Sequence, residues 1–160
     1  MARYRRVNID GQSLYKTETR KVAAASLPGT FVTINGDDEF AVAAATVGRL
    51  YVLDPAFSEG LGITDSIPAG HSTSGNYVEE GRELAILCPA GTYAKDTPIK
   101  LGANGQGAIA DSDTDTVLGY SQDDATIAAG ATDFIRVRFR VGTVRSEERR
   151  VGKECRSRWS

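Results

Sequence analysis

The sequence predicts a mainly β protein, a compact β-barrel or β-sandwich with an extended N-terminal arm and long loops, and three observations carry that prediction. Short apolar segments recur between clusters of Gly, Asp, Asn and Pro, while helical periodicity is scarce. The last such segment, DFIRVRFRV, alternates Ile135, Val137, Phe139 and Val141 with Arg136, Arg138 and Arg140, the period-two pattern of a strand with one buried face. With 160 residues and 41% hydrophobic content the chain suffices for one domain around one core.

The elements follow in chain order. Residues 1–21 read as a basic arm, with Arg3, Arg5, Arg6, Lys16, Arg20 and Lys21 against Asp10 and Glu18. GTFVTIN (29–35) is a strand closed by Asn35-Gly36, a dipeptide that favours the positive φ angles of a type I′ hairpin turn, and EFAVAAAT (39–46) is its return. GRLYVLD (48–54) is a further strand that Asp54-Pro55 ends. The segment AFSEGLGITDSIPAGHSTSGNY, between Pro55 and Val78, has no period and reads as a long excursion that docks on a neighbour. ELAILC (83–88), TPIKLG (97–102), GAIA (107–110) and TVLGYS (116–121) complete the strands. SLPG, IPAG, CPAG and IAAG each read as a turn feeding a strand, at a spacing too irregular for a solenoid.

Charge is segregated. The last stretch, RSEERRVGKECRSRWS (145–160), holds six basic and three acidic residues, one of the two cysteines and the single Trp. One permitted codon path through it reproduces the adapter ligated to DNA fragments for short-read sequencing, so it reads as a non-native scar outside the fold. Removing it lowers the basic count from 19 to 13 and the acidic count from 21 to 18. Residues 22–144 then carry 7 basic against 16 acidic groups. A basic arm on an acidic body argues against direct nucleic-acid binding and for contact with an acidic neighbour. No apolar run is long enough to span a bilayer, and none follows the basic N-terminus to make a signal peptide, so synthesis in a cytoplasm without membrane contact is expected.

Little in the sequence carries chemistry. His71, the only histidine, lies near Ser72, Ser74 and Asp65 in a Gly/Ser-rich loop that gives no rigid triad geometry. Asp111, Asp113 and Asp115 resemble the opening of a calcium loop, but Thr116 and Gln122 stand where Gly and Glu are required. A weak cation site in a β-turn or a solvated acidic loop remains. GANGQG (102–107) has no Lys-Ser/Thr after it and reads as a hairpin turn. Cys88 reads as a buried small hydrophobe. No enzyme, metal site or cofactor is expected. The three arginines of DFIRVRFRV call for acidic company, either a cross-strand ladder or an interface to another subunit.

The arm MARYRRVNIDG, the Gly-Thr-aromatic strand starts of PGTFVTI and PAGTYAKDTPIKLG, and the closing VLGYSQDDATIAAGATDFIRVRF resemble the head decoration, or capsid cement, proteins of tailed bacteriophages. The resemblance implies a protein made in the host bacterial cytoplasm that binds the exterior of the capsid in the virion. It would act as a homotrimer that stabilises the lattice of the major capsid protein. Arg3, Tyr4, Arg5 and Arg6 are the expected capsid contacts, and Arg136, Arg138, Arg140 or the 55–78 loop the subunit contacts. On this reading, deleting residues 2–9 weakens capsid binding and leaves the fold intact. Two other readings stay open: another virion component such as a tail-tube or head-completion protein, and a small ligand- or carbohydrate-binding module with Tyr77, Tyr93 and Tyr120 as its aromatic platform.

Overall fold

The structure, a computed structural model, describes Tyr4, Val7, residues 16–46 and residues 48–143, the last three of these for their backbone. Arg3, Arg5 and Arg6, expected as capsid contacts, and residues 145–160, expected as a non-native scar, lie outside the described residues. Among the described residues ten strands form two antiparallel five-stranded sheets packed as a sandwich. The first contains β1 (Thr17–Lys21), β2 (Phe31–Ile34), β3 (Phe40–Val42), β4 (Tyr51–Leu53) and β5 (Ser72–Tyr77), in the order β1-β5-β4-β2-β3. The second contains β6 (Glu83–Tyr93), β7 (Pro98–Leu101), β8 (Gly107–Ile109), β9 (Thr116–Ser121) and β10 (Ala125–Thr143), in the order β6-β10-β9-β7-β8.

Alternation along the strands builds the core. Phe31 and Val52 of the first sheet meet Leu84, Ile86, Ile135, Val137 and Phe139 of the second. Their neighbours Val32, Tyr51 and Leu53 point the other way, into a second cluster with Phe40, Ala56 and Ile67. The centre of the first sheet is therefore covered on both faces, which is why FV of β2 and YVL of β4 read as unbroken apolar runs. The second sheet curls until β8 returns to β6. A Cβ at Gly107 would come within 2.9 Å of both Ile86 Cγ2 and Cys88 Sγ, so only glycine permits this approach. Cys88 is fully buried there, and burial pushes its thiol up to about 12.

Four sequence expectations change. Residues 17–21, read as the end of the arm, form β1 and pair with β5 from Thr17↔Asn76 to Lys21↔Ser72. Residues 55–78, read as an excursion toward a neighbour, instead cover the first sheet: Ala56 and Ile67 are buried in the second cluster, and Ser72–Tyr77 is a strand between β1 and β4. The Asn35-Gly36 turn is not type I′. Its positive φ falls on Asp38 (65°), while Asn35 Oδ1 accepts the N–H groups of Asp37 and Glu39 at 3.0 and 2.9 Å. CPAG is no turn but lies inside β6, whereas Gly29, Gly70 and Gly130 of the other three repeats do take φ near +78°, at 78°, 79° and 77°.

The N-terminal segment is also tied to the sandwich. Val7 is fully buried in the main core, and its carbonyl accepts the Ala85 N–H at 2.8 Å along the free side of β6. Farther along the same side, the Gly29 carbonyl accepts the Leu87 N–H at 3.0 Å. Two carbonyls from elsewhere in the chain thus satisfy an edge that would otherwise template pairing with another molecule.

Candidate interaction surface

The alternation of β10 sends Ile135, Val137 and Phe139 into the core and places Arg136, Arg138 and Arg140 on the outer face of the second sheet. Glu83 lies directly across from Arg138 on β6, and the Arg138 guanidinium grips its carboxylate, with Nε donating to Oε1 at 2.7 Å. Arg136 Nε lies 3.9 Å from both Glu83 Oε2 and Asp123 Oδ1. Arg138–Glu83 is a cross-strand pair of the kind the sequence left open, worth about 0.2–1 kcal/mol, whereas Arg136 stands opposite Ala85 and only approaches the two carboxylates. Arg140 differs. It is exposed, has no charged partner among the described residues, and sits where the β9–β10 register shifts between Phe139 and Gly142. A bulge of this kind re-aims side chains.

Asp123 organises this face. The Ser121 hydroxyl and the Asp123 backbone hold the turn before β10: Ser121 Oγ donates to the Asp123 carbonyl at 3.0 Å and accepts the Asp123 N–H at 3.2 Å. The buried carboxylate then accepts the Arg136 N–H at 2.9 Å and the Tyr4 hydroxyl at 2.5 Å. In the sequence the arm and the arginine strand read as separate surfaces. The structure joins them, because Tyr4 docks beside Arg136.

The remaining candidates are accounted for locally. Lys100 Nζ fills the position that a cation would take in DSDTDT, 2.8 Å from Asp115 Oδ2 and 3.6 Å from Asp111 Oδ1. Asp115 also accepts the N–H groups of Asp111 and Ser112, and its pairing with Lys100 holds its carboxyl below the usual range. Among the described residues no group of three His, Cys, Asp or Glu could hold a metal. His71 Nδ1 lies 2.5 Å from Glu59, while Asp65 accepts the Gly62 N–H and Ser74 meets Thr19. The three tyrosines share no platform. Tyr93 is buried, Tyr77 packs edge-on against Tyr51 in the first sheet, and Tyr120 faces Arg138 in the second.

A charged network at the edge of the first sheet gives an acid dependence. Glu18 Oε1 accepts the Tyr51 hydroxyl at 2.6 Å, and its Oε2 accepts Arg20 Nη2 at 2.7 Å. The Tyr51 hydrogen bond, then Arg20, hold the Glu18 carboxyl below its usual 4.5. A carboxyl depressed on folding stabilises the fold above its unfolded pKa and loses that contribution as pH falls through the folded value. Urea midpoints should therefore fall below about pH 4.5. Glu18→Gln should flatten that acid limb, and a variant with the parent's slope would remove Glu18 from the account.

The chain has the fold of the head fiber gp8.5 N base of bacteriophage phi29, matched at a TM-score of 0.53 over 81% of this chain and 98% of that one, with 13% sequence identity. Comparison with curated proteins gives no match. The family model described as XM1 gp53 minor capsid protein matches residues 1–139, and the chain belongs to that family. It is a structural, capsid-associated protein of a phage head.

Proposed function

We propose that the protein binds the outer surface of the assembled head as a homotrimer and stabilises the lattice of the major capsid protein, using the outer face of the second sheet. The observation that carries this reading is the meeting of Tyr4 and Arg136 on one buried carboxylate, Asp123. It places the anchored arm next to Arg138 and Arg140, a basic strip on an otherwise acidic body. Such a strip suits an acidic patch on a large partner, where complementary charge sets encounter rate and register, and where many symmetric copies turn modest contacts into stable occupancy. The arginine row, expected from the sequence as a subunit interface, is on this view part of the capsid contact. Residues 145–160 take no part.

The test mixes residues 1–144 with expanded heads that lack the protein and measures occupancy and position by electron microscopy. The parent should decorate the exterior, less so at high salt. The double variant Arg138→Gln, Arg140→Glu should bind at least about tenfold more weakly, a loss of about 1.4 kcal/mol, while loss of the Arg138–Glu83 pair lowers the melting temperature by no more than about 4 °C. Undiminished occupancy by that variant would reject the arginine face. Location at the neck instead of across the shell would favour a head-completion role, and failure to bind any head would favour a small-ligand module.

A further inference from the structure

A second surface lies farther back along β10. Where that strand pairs with β6 the register breaks, with Ile127 opposite Gly91 and Thr132 opposite Pro89. Four residues of β10, Ala128–Ala131, therefore stand against Ala90 alone and project from the sheet, all of them exposed. Gly130 makes this possible by taking φ 77° with nothing within 4 Å of a Cβ placed there. Beside the bulge runs a groove of about 420 Å³ whose apolar lining includes Leu27, Ile63, Leu87, Ile127, Ala131 and Phe134. Leu27 is one of three large hydrophobic side chains exposed among the described residues, at 37%.

Charge identifies the occupant. The groove forms where three stretches without a charged residue, 22–36, 84–94 and 125–132, meet Ile63 and Thr64. One ionisable group, Asp133, lies in the lining, and its Oδ1 accepts the N–H of Phe134 at 2.8 Å. Residues 22–144 carry 7 basic against 16 acidic groups, so two copies repel wherever their acidic faces meet. Self-association of such a body requires a contact core free of like charges, and interface cores are depleted in charge in this way. An acidic capsid patch, by contrast, is matched by the arginine face at the other end of β10.

We infer that this groove and its bulge form the contact between copies of the chain, seating an apolar surface of a second copy. The inference rests on the homo-oligomeric part of the proposed function and assigns that contact to a surface distinct from the capsid-binding face. Light scattering or sedimentation of residues 1–144 across a concentration series tests it without capsids. The parent should self-associate, and Leu27→Asp and Ala129→Arg, both at exposed positions, should each weaken association at least about tenfold with melting temperature unchanged. Arg140→Glu should leave association as in the parent. A parent that stays monomeric overturns both the groove and the oligomer. A parent that associates while Leu27→Asp and Ala129→Arg associate equally well overturns the groove alone. Loss of association in Arg140→Glu returns the subunit contact to the arginine face, again overturning the inference while leaving the oligomer standing.

Discussion

Replacing Val7 with Asp should lower the melting temperature by about 10 °C. The Val7 side chain is fully buried in the main core, so a charge there has no water and no partner. A buried unpaired charge belongs with the most damaging substitutions, at about 3–5 kcal/mol, and each kcal/mol moves the midpoint of a domain this size by about 2–4 °C. Tyr4→Phe removes the hydroxyl that donates to Asp123 and should cost about 1–3 kcal/mol. A thermal melt checks both, and a free arm would predict no change in either. The same geometry corrects the expectation that deleting residues 2–9 spares the fold: the deletion removes Val7 and Tyr4 together with the arm's arginines. Replacing Arg3, Arg5 and Arg6 with Gln is the cleaner way to ask whether the arm binds a capsid.

Gly29→Ala should be comparably severe, at about 3–5 kcal/mol. Gly29 holds φ 78° while its N–H donates to the Leu53 carbonyl of the first sheet and its own carbonyl accepts the Leu87 N–H of the second. An added Cβ would lie 2.6 Å from Phe134 Cε1 and 2.9 Å from the Leu87 backbone nitrogen. The ring could shift, but the nitrogen is fixed in a strand. Gly36→Ala is the control. Its Cβ meets nothing within 4 Å and its φ is not positive, so the cost should stay within about 0.5 kcal/mol. A large loss at Gly36 would restore the type I′ turn that the sequence suggested.

Legibility in the sequence followed side-chain chemistry. Strands with bulky apolar residues in period two, or in short unbroken runs, were readable: β2, β4, β6, β9 and the end of β10. β1 and β5 were not, because TETRK and STSGNY have no such residues. Gly75 of β5 is small for a reason visible only in three dimensions, since the Phe40 ring would lie 2.5 Å from a Cβ there. The outward arginines of β10 were legible from alternation, and so was their need for acidic company. Naming Glu83 and Asp123 as that company required the strand register, which joins residues far apart in the chain. The anchoring of the arm left one faint trace, the aromatic Tyr4 and the aliphatic Val7 set among the arginines of MARYRRVNID.

The tether from Tyr4 to Asp123 spans 119 positions, and that separation has a kinetic meaning. Tyr4 and Val7 cannot be seated until β6 and the turn before β10, far later in the chain, have been made and folded. Closing so long a loop comes late, because its entropy must be met before the contact rewards it. A chain cut short ahead of Asp123 carries the arm without its anchor. Translation must therefore run almost to the end of the sandwich before Tyr4 can reach its anchor on Asp123.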